Sequence, residues 1–559
     1  MKRVRFARIV LAVALITGIL VSGLSLTGAQ ESRPLKVVMG SAGTNVIFDP
    51  SLATDVTSHT FINMLFPGLA PRNEVTGEIE HGMADEWTIS DDLLTYTFKI
   101  HQGIPWVRWD TDKGQVVEST DENGNVRYVT AHDFVYGVKR ILDPATASDY
   151  AYIPAEWTKG GAAFNSGEGS ADDVGIVALD DYTLQITASQ PAAFLLNIYG
   201  TWLYAALPQW AIDEYGDGWV LPGNMESYGD FVLKDYVAGA SAAIVKNPFW
   251  PGTESHPVPK LEEIDSQMLD ASVALAAYEA GEVDMIEDVP LPDLPRLKVE
   301  RPDELHIVPS SCTYTYEFNV TKPPVDNVHL RRAFSLAIDR QTLIDAVTKG
   351  EQIPAGFFTP PTYPSSPKQA DYPGYGVSYD PARAKEELQA YFDETGTTMA
   401  DLPPITLMYN TSEGHALIAQ AIQQMWKDTL GIEVQVTNQE WQTYLNTLDE
   451  DPPQIHRYGW CEDYADPNSW LNDVFRSDSG NNHTRWADPA FDALLDEAKT
   501  LTDDKARADL YAQAEQMLTW DEAADMPIYF YTNIDLTQTY LNATTTTQGA
   551  ERYDKWSFK

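Results

Sequence analysis

Strand-period alternation recurs along this chain and gives way to helix-period stripes in its second half. Apolar and polar residues alternate, or apolar ones run together briefly, in LKVVMG, LTYTFKI, YTLQITAS, AAIVKN, PITLMYN, IEVQVTN and MPIYFYT, which predicts strands. Helical spacing is clearest after the middle of the chain. In VHLRRAFSLAIDRQTLIDAV, residues Leu330, Phe334, Ala337, Ile338 and Ile344 recur at three- and four-residue steps, predicting one helix over 328–347. EGHALIAQAIQQMWKDTL gathers Leu417, Ile418, Ile422, Met425 and Trp426 on one face, and Gly431 supplies a stop before IEVQVTN. DPAFDALLDEAKTL and KARADLYAQAEQML predict a late helical pair. Strands and helices interleaved in this way, with no internal repeat, predict α/β domains with mixed sheets.

Pro- and Gly-rich stretches interrupt the pattern at 251–259, 290–302 and 354–381, and the middle one predicts a domain boundary just before Cys312. Residues 107–130 read as an inserted hairpin turning at Asn123-Gly124. Residues 158–172, rich in Gly, Ala and Ser, read as a mobile loop. At the start, Lys2, Arg3, Arg5 and Arg8 precede an apolar run from Ile9 to Leu26, followed by the small residues Thr27-Gly28-Ala29. Residues 1–29 are therefore expected to be a secretory signal peptide. The run also resembles a short membrane helix, so retention as a tether stays open beside cleavage. No cysteine stands at the cut, so no lipobox anchor is expected. No later segment reaches the roughly 18 apolar residues of a membrane span. The exported chain is expected in the periplasm or at the outer face of the cytoplasmic membrane.

With 559 residues the chain is too long for one ordinary core, so two or three domains are expected. Its 38 Lys+Arg against 82 Asp+Glu give a net charge of −44, which argues against nucleic acid or an anionic membrane surface as partner. Fifteen Trp and 28 Tyr suit a wall of flat amphipathic surfaces around a ligand, and core packing accounts for them equally well.

The only two cysteines, Cys312 and Cys461, are in an exported chain most simply a pair. Cys461 lies in RYGWCEDYADPNSW, where Glu462, Asp463 and Asp466 stand among Trp460, Tyr464 and Trp470. Read alone, this is either a ligand loop or a surface acidic turn. No G-x-S-x-G, Walker A, G-x-G-x-x-G, H-E-x-x-H or EF-hand pattern occurs, and two cysteines with ten scattered histidines predict no metal site. Glu462 and Asp463 point to opposite sides of an extended loop, a poor arrangement for two glycosidic carboxylates, so an enzyme is not expected. Capture remains. A carboxylate held away from water can demand a ligand ammonium, extended backbone can bind a peptide main chain as an added strand, and cations can take a far carboxylate.

A series of blocks in order then carries a resemblance: FDPSLATDVTSHTFINMLFPGL, GMADEWTISDDLLTYTFKI, TAHDFVYGVKRILDPATASDYA, VALDDYTLQIT, CTYTYEFN, VHLRRAFSLAIDR, LMYNTSEGHALIA, NQEWQTYL, RYGWCEDYADPNSWLNDVF and DPAFDALLDEA. Over nearly the whole length the chain resembles the oligopeptide-binding proteins among the family 5 solute-binding proteins of bacterial ABC importers. The resemblance implies a two-lobed, hinged periplasmic-binding-protein fold (type II, cluster C) with an extra third domain. It divides the chain into lobe I (32–66, 209–311 and 531–559), the extra domain (67–208) and lobe II (312–530).

The same resemblance assigns Asp463 to a ligand α-ammonium and Cys312–Cys461 to the family's disulfide. Gly459, Trp460 and Cys461 would pair with a peptide backbone from one side and Thr54, Asp55 and Val56 from the other. Tyr150 would stand near the ligand's amino end, Trp441 and Trp460 would line side-chain pockets, and His415 and Arg457 would meet the terminal carboxylate. It implies no cofactor, a monomer, and permease subunits of an ABC importer as partners. A dipeptide, opine, nickel chelate or oligosaccharide on the same fold is the alternative ligand; a secreted hydrolase or a surface adhesin or chaperone is more distant. Thr348 stands where enterobacterial relatives have a carboxylate-reaching lysine, with Lys349 beside it. Glu287 and Asp288 replace asparagines and, if they line a pocket, would favour Lys- or Arg-containing peptides.

Overall fold

The computed structural model describes residues 33–547 and 551–559, so the signal segment expected at 1–29 lies outside the described residues. One mixed sheet of eleven strands is the spine of the molecule. Its order is Val434–Gln439, Ile405–Asn410, Ile455–Cys461, Leu305–Phe318, Asp525–Thr537, Met285–Ile286, Leu35–Val38, Glu263–Gln267, Ser241–Lys246 and Phe231–Val237, with Ile353–Pro354 beside Asp525–Thr537. The predicted alternating segments lie in these strands or in a second, four-stranded antiparallel sheet ordered Ala84–Ile89, Thr95–Ile100, Thr183–Thr187, Ile176–Asp180.

Two long strands, Leu305–Phe318 and Asp525–Thr537, hold the large sheet together. They pair antiparallel in two stretches, Leu305–Pro309 against Leu536–Thr532 and Thr313–Glu317 against Phe530–Asp525, with a register shift between Pro309 and Thr313. Pro309 has no N–H to give to a ladder, which suits the end of a paired stretch. The first stretch adjoins Met285–Ile286, and the second adjoins Ile455–Cys461.

Helices cover the second half of the sheet as their stripes require. Glu413–Leu430 buries Ile418, Ala419, Ile422, Trp426 and Leu430 and ends at Gly431 in the left-handed region. Trp426 packs edge-on to Phe334 and donates its indole N–H to the Phe334 carbonyl (3.0 Å). Leu417, expected on the buried face, is exposed at the helix's first turns.

Three expectations are corrected. The helix over 328–347 is broken: Val328–Leu336 stops, Asp339 caps Arg340–Leu343, and a wider turn over Ile344–Thr348 follows. Buried Arg340 donates into the freed carbonyls of Ser335 and Ile338 and to Pro527, partnerships that an unbroken ladder would not allow. In 107–130 the strand pair is Val107–Asp110 with Gln115–Glu118, so the chain turns first at 111–114; the Asn123-Gly124 turn follows as a second one, bridged at Thr120 and Val126. Residues 158–172 are not a bare loop but carry the helical turn Gly161–Asn165, whose Ala163 carbonyl accepts from the N–H groups of Glu168 and Gly169.

Cys312 and Cys461 stand directly opposite each other in the ladder and are joined by a disulfide closing 149 positions of sequence. Chain-entropy arguments give such a loop up to about 5 kcal/mol. Replacing both cysteines by serine is expected to lower the unfolding free energy by about 2–5 kcal/mol and to raise the m-value in urea as the unfolded chain expands; an unchanged free energy would show that the sheet alone sets stability here.

Candidate functional site

The strand Ile455–Cys461 builds the site through its two faces and one free edge. Alternation sends His456, Tyr458 and Trp460 to one face and Arg457, Gly459 and Cys461 to the other. One edge pairs fully with Leu305–Phe318. The other pairs with Ile405–Asn410 only at Ile455 and His456. Beyond His456, no strand adjoins that edge among the described residues; the Arg457 carbonyl accepts from the Tyr444 hydroxyl, and the backbone from Tyr458 onward borders a cleft.

That cleft is a cavity of about 890 Å³. Thr54, Asp55, Val56 and Tyr150 line one side; Trp441, Arg457, Gly459, Trp460, Cys461 and Asp463 line the other. Asp55 caps the helix Val56–Leu65, accepting from the N–H (2.9 Å) and hydroxyl (2.7 Å) of Ser58, so its side chain is engaged locally while it fixes the segment's backbone. Trp441 opens the helix Trp441–Glu450, capped by Glu440, and stacks on Tyr444. Trp460 stacks on Tyr458, and its indole N–H has no partner within the protein. Gly459 matters for space: a Cβ there would lie 2.6 Å from Nη2 of Arg457, displacing that side chain.

Asp463 and Arg457 are the electrostatic poles. Asp463 follows the strand, its N–H donating to Ser469 Oγ (3.1 Å). Its carboxyl is buried, and Oδ2 has no hydrogen-bond partner. Burial above all, then the nearby Asp473 and Glu462, push its pKa well above the usual range; a hydrogen bond with Tyr150 opposes this only in part. No ion pair reaches Asp463 among the described residues. Arg457 donates to the Tyr531 hydroxyl (2.6 Å) and Asn410 Oδ1 (3.3 Å) and lies over the Tyr314 ring, again with no carboxylate paired to it among the described residues. A buried charge without a counter-charge is costly, and a ligand that supplies one recovers that cost.

His415 is not brought to the cavity wall. It sits in the first turn of its helix, 5.5 Å from the Tyr314 ring, and burial together with Arg457 holds its pKa well below the usual value. Glu462 pairs with Arg72 (3.3 Å) and Asp466 with Arg507 (2.6 Å), so the other acids of the loop are structural. Glu287 accepts from Tyr553, and neither it nor Asp288 lines the cavity; the expected bias toward cationic peptides loses its basis. Thr348 bonds Gln352 (2.8 Å), and neither it nor Lys349 lines the cavity. Sequence reasoning missed His59, tilted against Trp202 with ring centroids 3.7 Å apart, and Tyr458, His483 and Asp473. No motif marks them, because only folding brings them to the site.

Residues 78–482 match the model of the bacterial extracellular solute-binding proteins, family 5 (middle region). The chain belongs to that family. As a family 5 protein it is 36% identical over 494 residues to the oligopeptide-binding protein OppA of Bacillus subtilis (strain 168), covering 87% of this chain and 85% of that one. Among solved structures, the Escherichia coli murein tripeptide-binding protein MppA superposes with a TM-score of 0.84 at 29% identity, covering 94% of this chain and 99% of that one. An MppA structure described as the unliganded open form, at the same identity and covering 94% and 98%, scores 0.65. The two-lobed α/β fold is thus that of this chain, which superposes better on the first MppA structure than on the open form.

A raised carboxyl pKa means the folded chain holds its proton more tightly than the unfolded chain, so that group's contribution falls as pH rises from about 4 through the raised value. Buried His59, lowered to about 4, and His456, lowered to about 3, act in the opposite sense below the ordinary histidine range, so a variant comparison is needed. In ligand-free protein, Asp463→Asn is expected to gain at least about 1 kcal/mol over the parent at about pH 8 and less at about pH 5, by urea unfolding. A difference that does not change with pH would contradict the raised pKa.

Proposed function

We propose that this family 5 protein is the extracytoplasmic binding component of an ABC importer, capturing extended oligopeptides between its lobes and presenting them to a membrane permease. The observation that carries this reading is the buried, cation-free carboxylate of Asp463 at the end of a strand edge that has no neighbour. A peptide supplies what that arrangement lacks: an α-ammonium for Asp463 and main-chain donors and acceptors for Arg457–Cys461. Tyr150 positions the carboxylate, the backbone of Thr54–Val56 faces the ligand from across the cleft, and Trp441 and Trp460 pack against its side chains. Arg457 takes the terminal carboxylate, with neutral His415 behind it. Arg457 and Asp463 are six residues apart on nearly extended chain, so a ligand bridging them spans no more than about 20 Å, the reach of roughly six residues.

Support for the ligand class comes from the named relative, an oligopeptide-binding protein, and support for an extracytoplasmic site comes from the family's description as extracellular. In this reading the peptide is bound and released unchanged. Lobe I comprises 32–66, 209–311 and 531–559, the extra domain 67–208, and lobe II 312–530. The hinge lies on the two long strands, near the register shift between Pro309 and Thr313.

Calorimetry with a free and an N-acetylated peptide of one sequence tests the ammonium role. Acetylation is expected to cost about 3–5 kcal/mol, roughly a hundred- to several-thousandfold, and Asp463→Asn to abolish the difference between the two. Equal binding of both peptides to the parent would refute it. Because the Asp463 carboxyl ionises on meeting the ammonium, binding at neutral pH is expected to release protons, read as a dependence of the heat on buffer ionisation enthalpy, and to weaken as pH falls. Arg457→Gln is expected to bind free-acid and amidated peptides alike, where the parent prefers the free acid.

A further inference from the structure

On the face of the strand that carries His456, Tyr458 and Trp460, three potential metal ligands meet. In the antiparallel ladder Glu317 stands directly opposite His456, so their side chains share a face, with Glu317 Oε2 2.9 Å from His456 Nε2. His483, from the segment after the helix Asn468–Phe475, closes over the pair, its ring 6.2 Å from that of His456 and 5.1 Å from that of Tyr458. One ligand atom from each of Glu317, His456 and His483 lies within 4.8 Å of the others. Glu317 and His456 are wholly buried, and His483 is 4% exposed.

We propose that Glu317, His456 and His483 bind a transition-metal dication of the zinc class. Two imidazoles and one carboxylate form a donor set that zinc accepts with one position left open. Three features favour a cation over a merely packed cluster. Glu317 Oε1 and His483 Nδ1 are buried without hydrogen-bond partners. His483 Nε2 is held by Asp449 Oδ1 (3.1 Å), the carboxylate–histidine support that orients a ligating ring and leaves Nδ1 free for the metal. The nearest cationic side chains are engaged elsewhere, Lys322 with Asp451 (2.7 Å) and Arg485 with the carbonyls of Leu448 and Asp449. Ligands about 2.0–2.2 Å from a tetrahedral ion are roughly 3.4 Å apart, so the 2.9 Å Glu317–His456 pair must open by about half an ångström while His483 draws in.

The site would tie the segment bearing Gly480, Asn481 and His483, which lines the cavity, to the sheet beneath it. Because His483 itself lines the cavity, the open position is on the ligand side, where water or a donor from a bound ligand, such as an imidazole, can fill it. Ten histidines without a spacing motif predict no such site; the register between two strands and one returning loop assembles it.

The test uses chelator-treated, ligand-free protein titrated with zinc chloride by calorimetry and with cobalt chloride by visible absorption. One ion per chain, a tetrahedral cobalt spectrum and a zinc-dependent rise in Tm are expected. His483→Ala and Glu317→Gln are each expected to weaken zinc by at least roughly a hundredfold, and Asp449→Asn by about ten- to a hundredfold. Cooperative unfolding of His483→Ala in zinc-free buffer serves as the control for folding. Absence of saturable zinc binding, or equal affinity in the parent and His483→Ala, would overturn the proposal. Neither result bears on peptide capture, which is measured without metal.

Discussion

The antiparallel pairing of Leu305–Phe318 with Ile455–Cys461 is the constraint on which the rest of the molecule depends. It sets Cys312 against Cys461, Thr313 against Trp460 and Glu317 against His456, and a shift of one residue would move every one of these side chains to the opposite face. It also leaves the strand's other edge without a neighbour past His456, next to the cavity. A free edge is normally an aggregation hazard that proteins cover or blunt. Here the edge borders a walled cleft and not the open surface.

Charge placement explains why such a cleft discriminates. The chain is strongly acidic overall, yet most of its buried acids are engaged: Asp466 by Arg507, Asp49 by Arg140, Asp554 by Arg552. Asp463 has only a tyrosine and other acids about it, as Glu287 does, but lines the cavity. Arg457 has hydroxyl, amide and ring neighbours in place of a carboxylate, whereas the buried Arg340, which also lacks one, is taken up by backbone carbonyls. A carboxyl without a basic partner and a guanidinium without a carboxylate, at separate points on one wall, are what the proposed capture of an extended zwitterion rests on.

Segments far apart in sequence also meet directly. Glu156 accepts from Lys499 (2.9 Å) and Asn472 (3.1 Å), Phe194 stacks on Tyr464, and Arg72 reaches Glu462. Of these, the Phe194–Tyr464 pair belongs to one continuous apolar core, while the others are polar. The greater likeness to one MppA structure than to its open form agrees with their being made here.

Local chemistry made much of this legible beforehand. Alternation located the strands, the stripe ending at Gly431 located the helix Glu413–Leu430, and block order located the family and the cysteine pair. The helix over 328–347 was misread because its apolar spacing continues through a break that only the carbonyl partners of Arg340 reveal. His415 was placed at the ligand by its position in a block, but Tyr314 and Arg457 stand where its ring turns. Hydrophobic period and turn chemistry act between near neighbours, so the sequence by itself determined the elements and the family. Which acids are paired, which edge is open and which histidines meet a glutamate were decided only by the tertiary structure. Each of these depends on contacts between residues tens to hundreds of positions apart, which no local pattern encodes.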